Sequence, residues 1–172
     1  DMAPRVFGFG PGVYLRLPAR EPKLLHPLVL AYAGDAVYEL FIRQYLISLN
    51  NHRPHHLHTE ATRFVSAKAQ ARSLERLMPM LTEEEREMVH RGRNAKSGTV
   101  PKNADVLEYR HSTAFECLIG YLYYCGRHER MLELMERTLA EPAAEPEGAA
   151  VAARAKSPDA SGTETGTVPG MP

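Results

Sequence analysis

Between Pro27 and Ala140 the apolar residues recur every three or four positions, no stretch alternates apolar with polar, and the breaks contain Pro or Gly. That period gathers apolar side chains on one side of a 3.6-residue turn, so the spacing predicts an all-α domain. Helices are expected over about 27–49, ended by Asn50-Asn51 before Pro54, and over about 55–78, stopped at Pro79. Thr82-Glu-Glu-Glu85 is a capping box, whose hydroxyl and carboxylate satisfy the first free amides of a third helix reaching about 94. A loop, Ser97-Gly-Thr-Val-Pro101, follows; Asn103 is placed to cap a fourth helix through Tyr124, Gly126 breaks it, and a short last helix covers 129–140.

The flanks differ. Residues 1–22 are rich in Pro and Gly without a usable period and are expected to form an irregular arm. Residues 141–172, mostly Ala, Pro, Glu, Gly, Ser and Thr, hold too little apolar surface to offset the entropy of ordering and are expected to be a disordered tail. One folded domain, 23–140, remains. The whole chain has 21 Lys plus Arg and 21 Asp plus Glu, so net charge gives no argument for a nucleic-acid partner. The tail takes five acids and two bases, leaving 16 acids and 19 bases before it, a mildly basic body. Cys117 and Cys125 lack a CxxC spacing and read as two buried thiols. With no signal-peptide core and no membrane-length apolar run, the expectation is a soluble, cytoplasmic protein with no membrane partner.

Two carboxylates interrupt the apolar helical runs: Asp35 in Leu30-Ala-Tyr-Ala-Gly-Asp-Ala-Val-Tyr-Glu-Leu40, and Glu116 in Ser112-Thr-Ala-Phe-Glu-Cys-Leu-Ile-Gly120. They read as buried acids, which need a cation or hydrogen-bond donors. Gly34 precedes one, and Gly120 lies one turn after the other; glycine in a helix costs about 1 kcal/mol against Ala, which suggests close backbone contact. If the two helices cross at these glycines, Asp35 and Glu116 meet and offer hard oxygen ligands to a divalent ion. Pairing with a nearby base such as Arg110 explains the acids equally well at this point.

Arg91-Gly-Arg-Asn-Ala-Lys-Ser-Gly-Thr-Val-Pro-Lys102 holds four bases and no acid just before the helix bearing Glu116. Such a loop suits phosphate, although most isolated basic runs are simply solvated. His52, His55, His56 and His58 cluster near a Pro-marked helix start without a fixed Cys or Asp, and fit a wet surface better than a metal site. Ser66, Ser97 and Ser112 lack the Gly-flanked elbow of a hydrolase nucleophile.

The motifs together resemble a known family. Gly34-Asp-Ala-Val37 with Phe115-Glu-Cys-Leu-Ile-Gly120 looks like the catalytic core of ribonuclease III. Phe64-Val-Ser-Ala-Lys-Ala-Gln-Ala71, Arg91-Gly-Arg-Asn-Ala95, Ser97-Gly-Thr-Val-Pro-Lys-Asn103 and Tyr109-Arg-His-Ser-Thr-Ala-Phe-Glu116 are similar to its small bacterial branch, the Mini-ribonucleases III, which lack a double-stranded-RNA-binding domain. The likeness covers about 24–140.

It implies an all-helical endonuclease domain working as a homodimer on duplex RNA with Mg²⁺, leaving 5′-phosphate and 3′-hydroxyl ends, and in this branch trimming large-subunit ribosomal RNA precursor. A ribosomal protein is a further candidate partner. By position, Asp35 and Glu116 become the catalytic, metal-ligating acids. Arg91, Arg93, Lys96 and Lys102, with Lys68 on the second helix, become the RNA-binding bases. The fuller ribonuclease III pattern has two more acids, at positions held here by Ala31 and Thr113, so one well-held ion, with another recruited by RNA phosphate, is expected. The rival expectation is a non-catalytic RNA-binding or ribosome-associated protein with the same fold; retention of both acids speaks against it.

Overall fold

A computed structural model describes residues 16–96 and 98–140. The arm as far as residue 15 and the tail from 141 lie outside the described residues, as does Ser97. The elements are a 3-10 turn at Pro22–Leu24, α1 (Pro27–Ser48), α2 (Pro54–Val65), α3 (Ala67–Leu77), a 3-10 turn at Met78–Met80, α4 (Glu83–Asn94), α5 (Val106–Tyr124) and α6 (His128–Leu139). Among the described residues there is no strand, as the helical period predicts.

Local chemistry sets most boundaries. Pro27 starts α1, where the His26 ring accepts from the Leu28 amide at 3.1 Å. The capping box opens α4 as expected: Thr82 Oγ1 accepts from the Glu85 amide at 3.2 Å, and Glu85 Oε2 accepts from the Thr82 amide at 2.8 Å. Glu85 is itself buried, and Arg130 of α6 neutralises it at 2.8 Å. Gly126 ends α5 in the left-handed conformation, φ 69°, as the Arg127 amide donates back to Leu122 O.

Two expected boundaries differ. The single helix expected over 55–78 is broken at Ser66, whose backbone is extended and whose Oγ accepts from the Ala69 amide at 3.2 Å, so α3 starts on its own cap. The apolar period runs through the break and conceals it. α5 is capped by Asp105, which accepts from the Leu107 and Glu108 amides at 2.8 and 3.0 Å, and not by Asn103. Asn103 instead takes φ 69°, a conformation that Asn tolerates better than most residues.

α5 is the central element, buried from Ser112 through Leu122 except at Glu116, and α1, α3, α4 and α6 all pack on it. The Tyr38 and Phe115 rings meet edge to face at 4.8 Å, and Tyr38 Oη donates to Thr138 Oγ1 at 3.0 Å, tying α1 to α6. The α1–α5 contact is the tightest, as the glycine spacing predicts. A Cβ on Gly34 would lie 1.8 Å from the Glu116 carbonyl oxygen, and one on Gly120 would lie 1.9 Å from the Leu30 carbonyl oxygen. Only hydrogen side chains let these two backbones touch.

Candidate metal centre and nucleic-acid face

The glycine crossing brings Asp35 and Glu116 together. Glu116 is half-buried, while Asp35 is exposed, which corrects the expectation of two buried acids. The reason lies on α1. Gly34 is pressed against α5, whereas its neighbour Asp35 sits at the edge of that contact, within reach of Glu116 but open to solvent, on a helix that also carries a solvent-facing apolar strip of Val29, Tyr32, Ala36 and Leu40. Apolar neighbours in the sequence therefore did not mean burial.

The electrostatics are those of an uncompensated pair. Burial, and then the Asp35 charge, push the Glu116 carboxyl from its ordinary 4.5 up to about 8, against a smaller opposing pull from Gln70. Asp35 is also raised, by partial burial and then by Glu39. No basic side chain is among the groups that shift either acid. Pairing with Arg110, the competing explanation from sequence, gains no support, and Arg110 is exposed.

Two proximate carboxylates with no countercharge among the described residues fit an oxygen-loving divalent cation. Among the described residues no group of three or more His, Cys, Asp or Glu side chains gathers for a metal, so the protein offers such an ion these two acids, and water or phosphate would complete its shell. The two positions where the fuller pattern carries acids are buried and neutral: Ala31 is 5 % exposed, and Thr113 donates to the Tyr109 carbonyl at 3.0 Å. The histidine cluster assembles no metal group, and His52 bonds to the Ile47 carbonyl at 2.7 Å, closing the end of α1. Cys117 is buried and its thiol pushed up to about 12, whereas Cys125 is only half-buried; both are free.

The basic residues divide. Arg93, Lys96 and Lys102 are exposed. Arg93 shares a groove between α3, α4 and the start of α5 with Lys68, Arg72 and His111, beside the acids Glu75 and Glu108. Arg91 has a structural task that its motif does not announce: its guanidinium donates to the Lys23 carbonyl at 2.8 Å and to the Leu25 carbonyl at 3.1 Å, fastening the segment before α1 to α4. Sequence reasoning missed Gln70, 1 % exposed, which accepts from Ser112 Oγ at 2.6 Å next to Glu116. The available signal was a long polar side chain in the buried stripe of α3, among Ala69, Leu74 and Leu77.

The all-helical fold with its paired acids is that of a nuclease domain: a family model described as the Ribonuclease III domain matches residues 28–127. Among curated relatives, "Mini-ribonuclease 3" of Brevibacillus brevis is 54% identical over 121 residues, spanning 70% of this chain and 90% of that protein. The protein of the same name from Enterococcus faecalis is 53% identical over 118 residues, 67% of this chain and 89% of that one. A crystal structure of a Fusobacterium nucleatum protein superposes with a TM-score of 0.64 at 29% identity, covering 71% of this chain and 98% of the other. The chain belongs to the ribonuclease III family, in its Mini-ribonuclease 3 branch, and is a ribonuclease. Among the described residues no helix is long and apolar enough to cross a membrane.

Proposed function

We propose that this ribonuclease is a Mg²⁺-dependent endonuclease of double-stranded RNA in which Asp35 and Glu116 hold the ion. The observation that carries the reading is the juxtaposition of these two acids across the Gly34–Gly120 crossing with no base, among the described residues, shifting either of them. When bound, a Mg²⁺ ion makes an attacking water more acidic and offsets charge gathering on the phosphate. The chain's own part is to fix both carboxylates on two helices locked by backbone contact. Arg91, Arg93, Lys96 and Lys102, with Lys68, are the proposed phosphate contacts, Arg91 through the donors its two carbonyl bonds leave over, and each neutralised phosphate releases counterions. A-form RNA is met mainly by shape and 2′-hydroxyls, so side chains are expected to read little sequence.

The exposed apolar face of α1 supports a homodimer: Tyr32, one turn before Asp35, is 85% exposed, and Val29 is 49% exposed. A second copy there would set two sites on one duplex, one per strand. By its branch, the proposed substrate is large-subunit ribosomal RNA precursor in the cytoplasm, with a ribosomal protein as a candidate helper. The deciding experiment incubates the protein with a perfect RNA duplex, and separately with either strand alone, in Mg²⁺ or EDTA. Cuts ending in 5′-phosphate and 3′-hydroxyl on the duplex in Mg²⁺ only are expected; equal cutting of single strands, or cutting in EDTA, contradicts the proposal.

The raised acids predict a pH dependence of the metal-free protein. Unfolded, the Glu116 carboxyl ionises near 4.5; folded, it keeps its proton to about 8. Between these values the native state binds more protons, so stability falls as pH rises through the window, by up to about 1.4 kcal/mol per pH unit, and levels off above it. The raised Asp35 acts in the same sense. Glu84, held down to about 2 by Tyr121 and then Arg127, acts in the opposite sense but only below 4.5. Urea midpoints in EDTA from pH 5.5 to 8.5 should decline, should flatten in Glu116→Gln, and should recover with Mg²⁺ most at high pH. A midpoint that rises across this range in EDTA would contradict the assignment.

A further inference from the structure

Gln70 sits where a leucine would be expected. It lies in the stripe by which α3 packs on α5, almost wholly enclosed, yet its side chain is a polar amide. Ser112 Oγ donates to Gln70 Oε1 at 2.6 Å, which fixes the amide's orientation and turns its nitrogen end away from Ser112. Ser112 and Glu116 are one helical turn apart on the same face of α5, and the Gln70 side chain acts on the Glu116 carboxylate as a donor, which places its nitrogen end on the Glu116 side. The nitrogen is close enough to favour the ionised form of Glu116, but it is buried and makes no hydrogen bond of normal geometry among the described residues. A buried donor left unmatched costs about 1–3 kcal/mol, so an apolar residue here would give a more stable core.

We propose that Gln70 is a positioning residue for the ribonuclease reaction: its Nε2 group donates to the Glu116 carboxylate and sets that carboxylate's direction, while Ser112 holds Gln70. The inference rests on the reading of Asp35 and Glu116 as ion ligands.

The choice of an amide follows from charge. A lysine or arginine in this place would neutralise the Asp35–Glu116 pair and compete with the cation. A third carboxylate would add to the repulsion that already raises Glu116. The neighbouring Thr113 cannot substitute, because its hydroxyl is turned back to the Tyr109 carbonyl. A glutamine reaches the carboxylate, donates to it and brings no charge.

The test compares Gln70→Met, which keeps length and volume without a donor, with Ser112→Ala and the double variant. Duplex cleavage gives kcat and KM, and the free Mn²⁺ signal in electron paramagnetic resonance gives metal affinity without RNA. Gln70→Met should lose about 10- to 100-fold in Mn²⁺ affinity and in kcat, the range for groups that orient a metal's ligands, with KM for RNA unchanged. Ser112→Ala should shift both in the same direction by less. In the Gln70→Met background it should add nothing, since it acts through Gln70.

Mn²⁺ affinity and kcat of Gln70→Met within about twofold of native would overturn the proposal, as would full additivity of Ser112→Ala. If Gln70→Met does not fold, Ser112→Ala decides alone, and unchanged affinity and kcat count against it. Failure of the underlying reading has its own signature: Glu116→Gln would then bind Mn²⁺ and cleave as the native protein does.

Discussion

Replacing Asp35 by Asn is expected to abolish duplex cleavage while leaving the fold and duplex binding in place. Asp35 is exposed, so the amide fits without repacking, and losing its charge removes one of the pressures that raise Glu116. Stability of the metal-free protein should stay level or rise slightly. Catalysis should not survive. With two carboxylates at the centre among the described residues, losing one leaves a single charged ligand there, and the ion's contribution of several kcal/mol to the transition state goes with it. A fall of about a thousandfold or more corresponds to roughly 4 kcal/mol. Glu116→Gln should match it. Single-turnover cleavage in saturating Mg²⁺, beside gel-shift binding of the same duplex, separates the steps. Cleavage by Asp35→Asn within about tenfold of native contradicts the assignment. A native protein that binds duplex RNA but never cuts it would instead support the non-catalytic alternative.

The second large effect is structural. Gly34→Ala places a methyl group 1.8 Å from the Glu116 carbonyl oxygen, and Gly120→Ala places one 1.9 Å from the Leu30 carbonyl oxygen. These neighbours are backbone atoms of helices, with no side-chain rotation to relieve the clash. The helices must part, loosening the Tyr38–Phe115 contact and the core around Leu30 and Leu118. Alanine's better helix propensity returns about 1 kcal/mol, far less than the overpacking takes away. A net loss of at least about 3 kcal/mol is expected from either change, with a thermal midpoint roughly 10 °C or more lower, or no folded protein. Because the atom struck belongs to Glu116, any folded Gly34→Ala protein should also bind divalent ions more weakly. A loss below about 1 kcal/mol would mean that the crossing is looser than described.

Features governed by nearby residues were legible in the sequence. The helical class, the Thr82–Glu85 capping box, the Gly126 stop and the glycine crossing all follow from spacing or from one residue's conformational range. Ser66 and Asp105 were harder, because an uninterrupted apolar period and a nearer Asn each offered a competing local answer. What escaped depends on distant contacts. Arg91 serves carbonyls more than sixty residues away, and nothing in its basic motif distinguishes that task from holding phosphate. Gln70 meets Ser112 across 42 positions, so its presence at the site appears only once α3 lies on α5. The exposure of Asp35 is hidden in the sequence, because an apolar helix face open to solvent looks there like one buried in the core.

Locating the divalent ion proposed to lie between Asp35 and Glu116 is the most direct measurement. Crystals of the full chain grown with Mn²⁺ and measured for anomalous scattering should show one strong peak shared by the two carboxylates, within about 2.0–2.6 Å of an oxygen of each. A protein whose cleavage saturates with Mn²⁺, but whose anomalous peak lies away from these two side chains, would contradict the account.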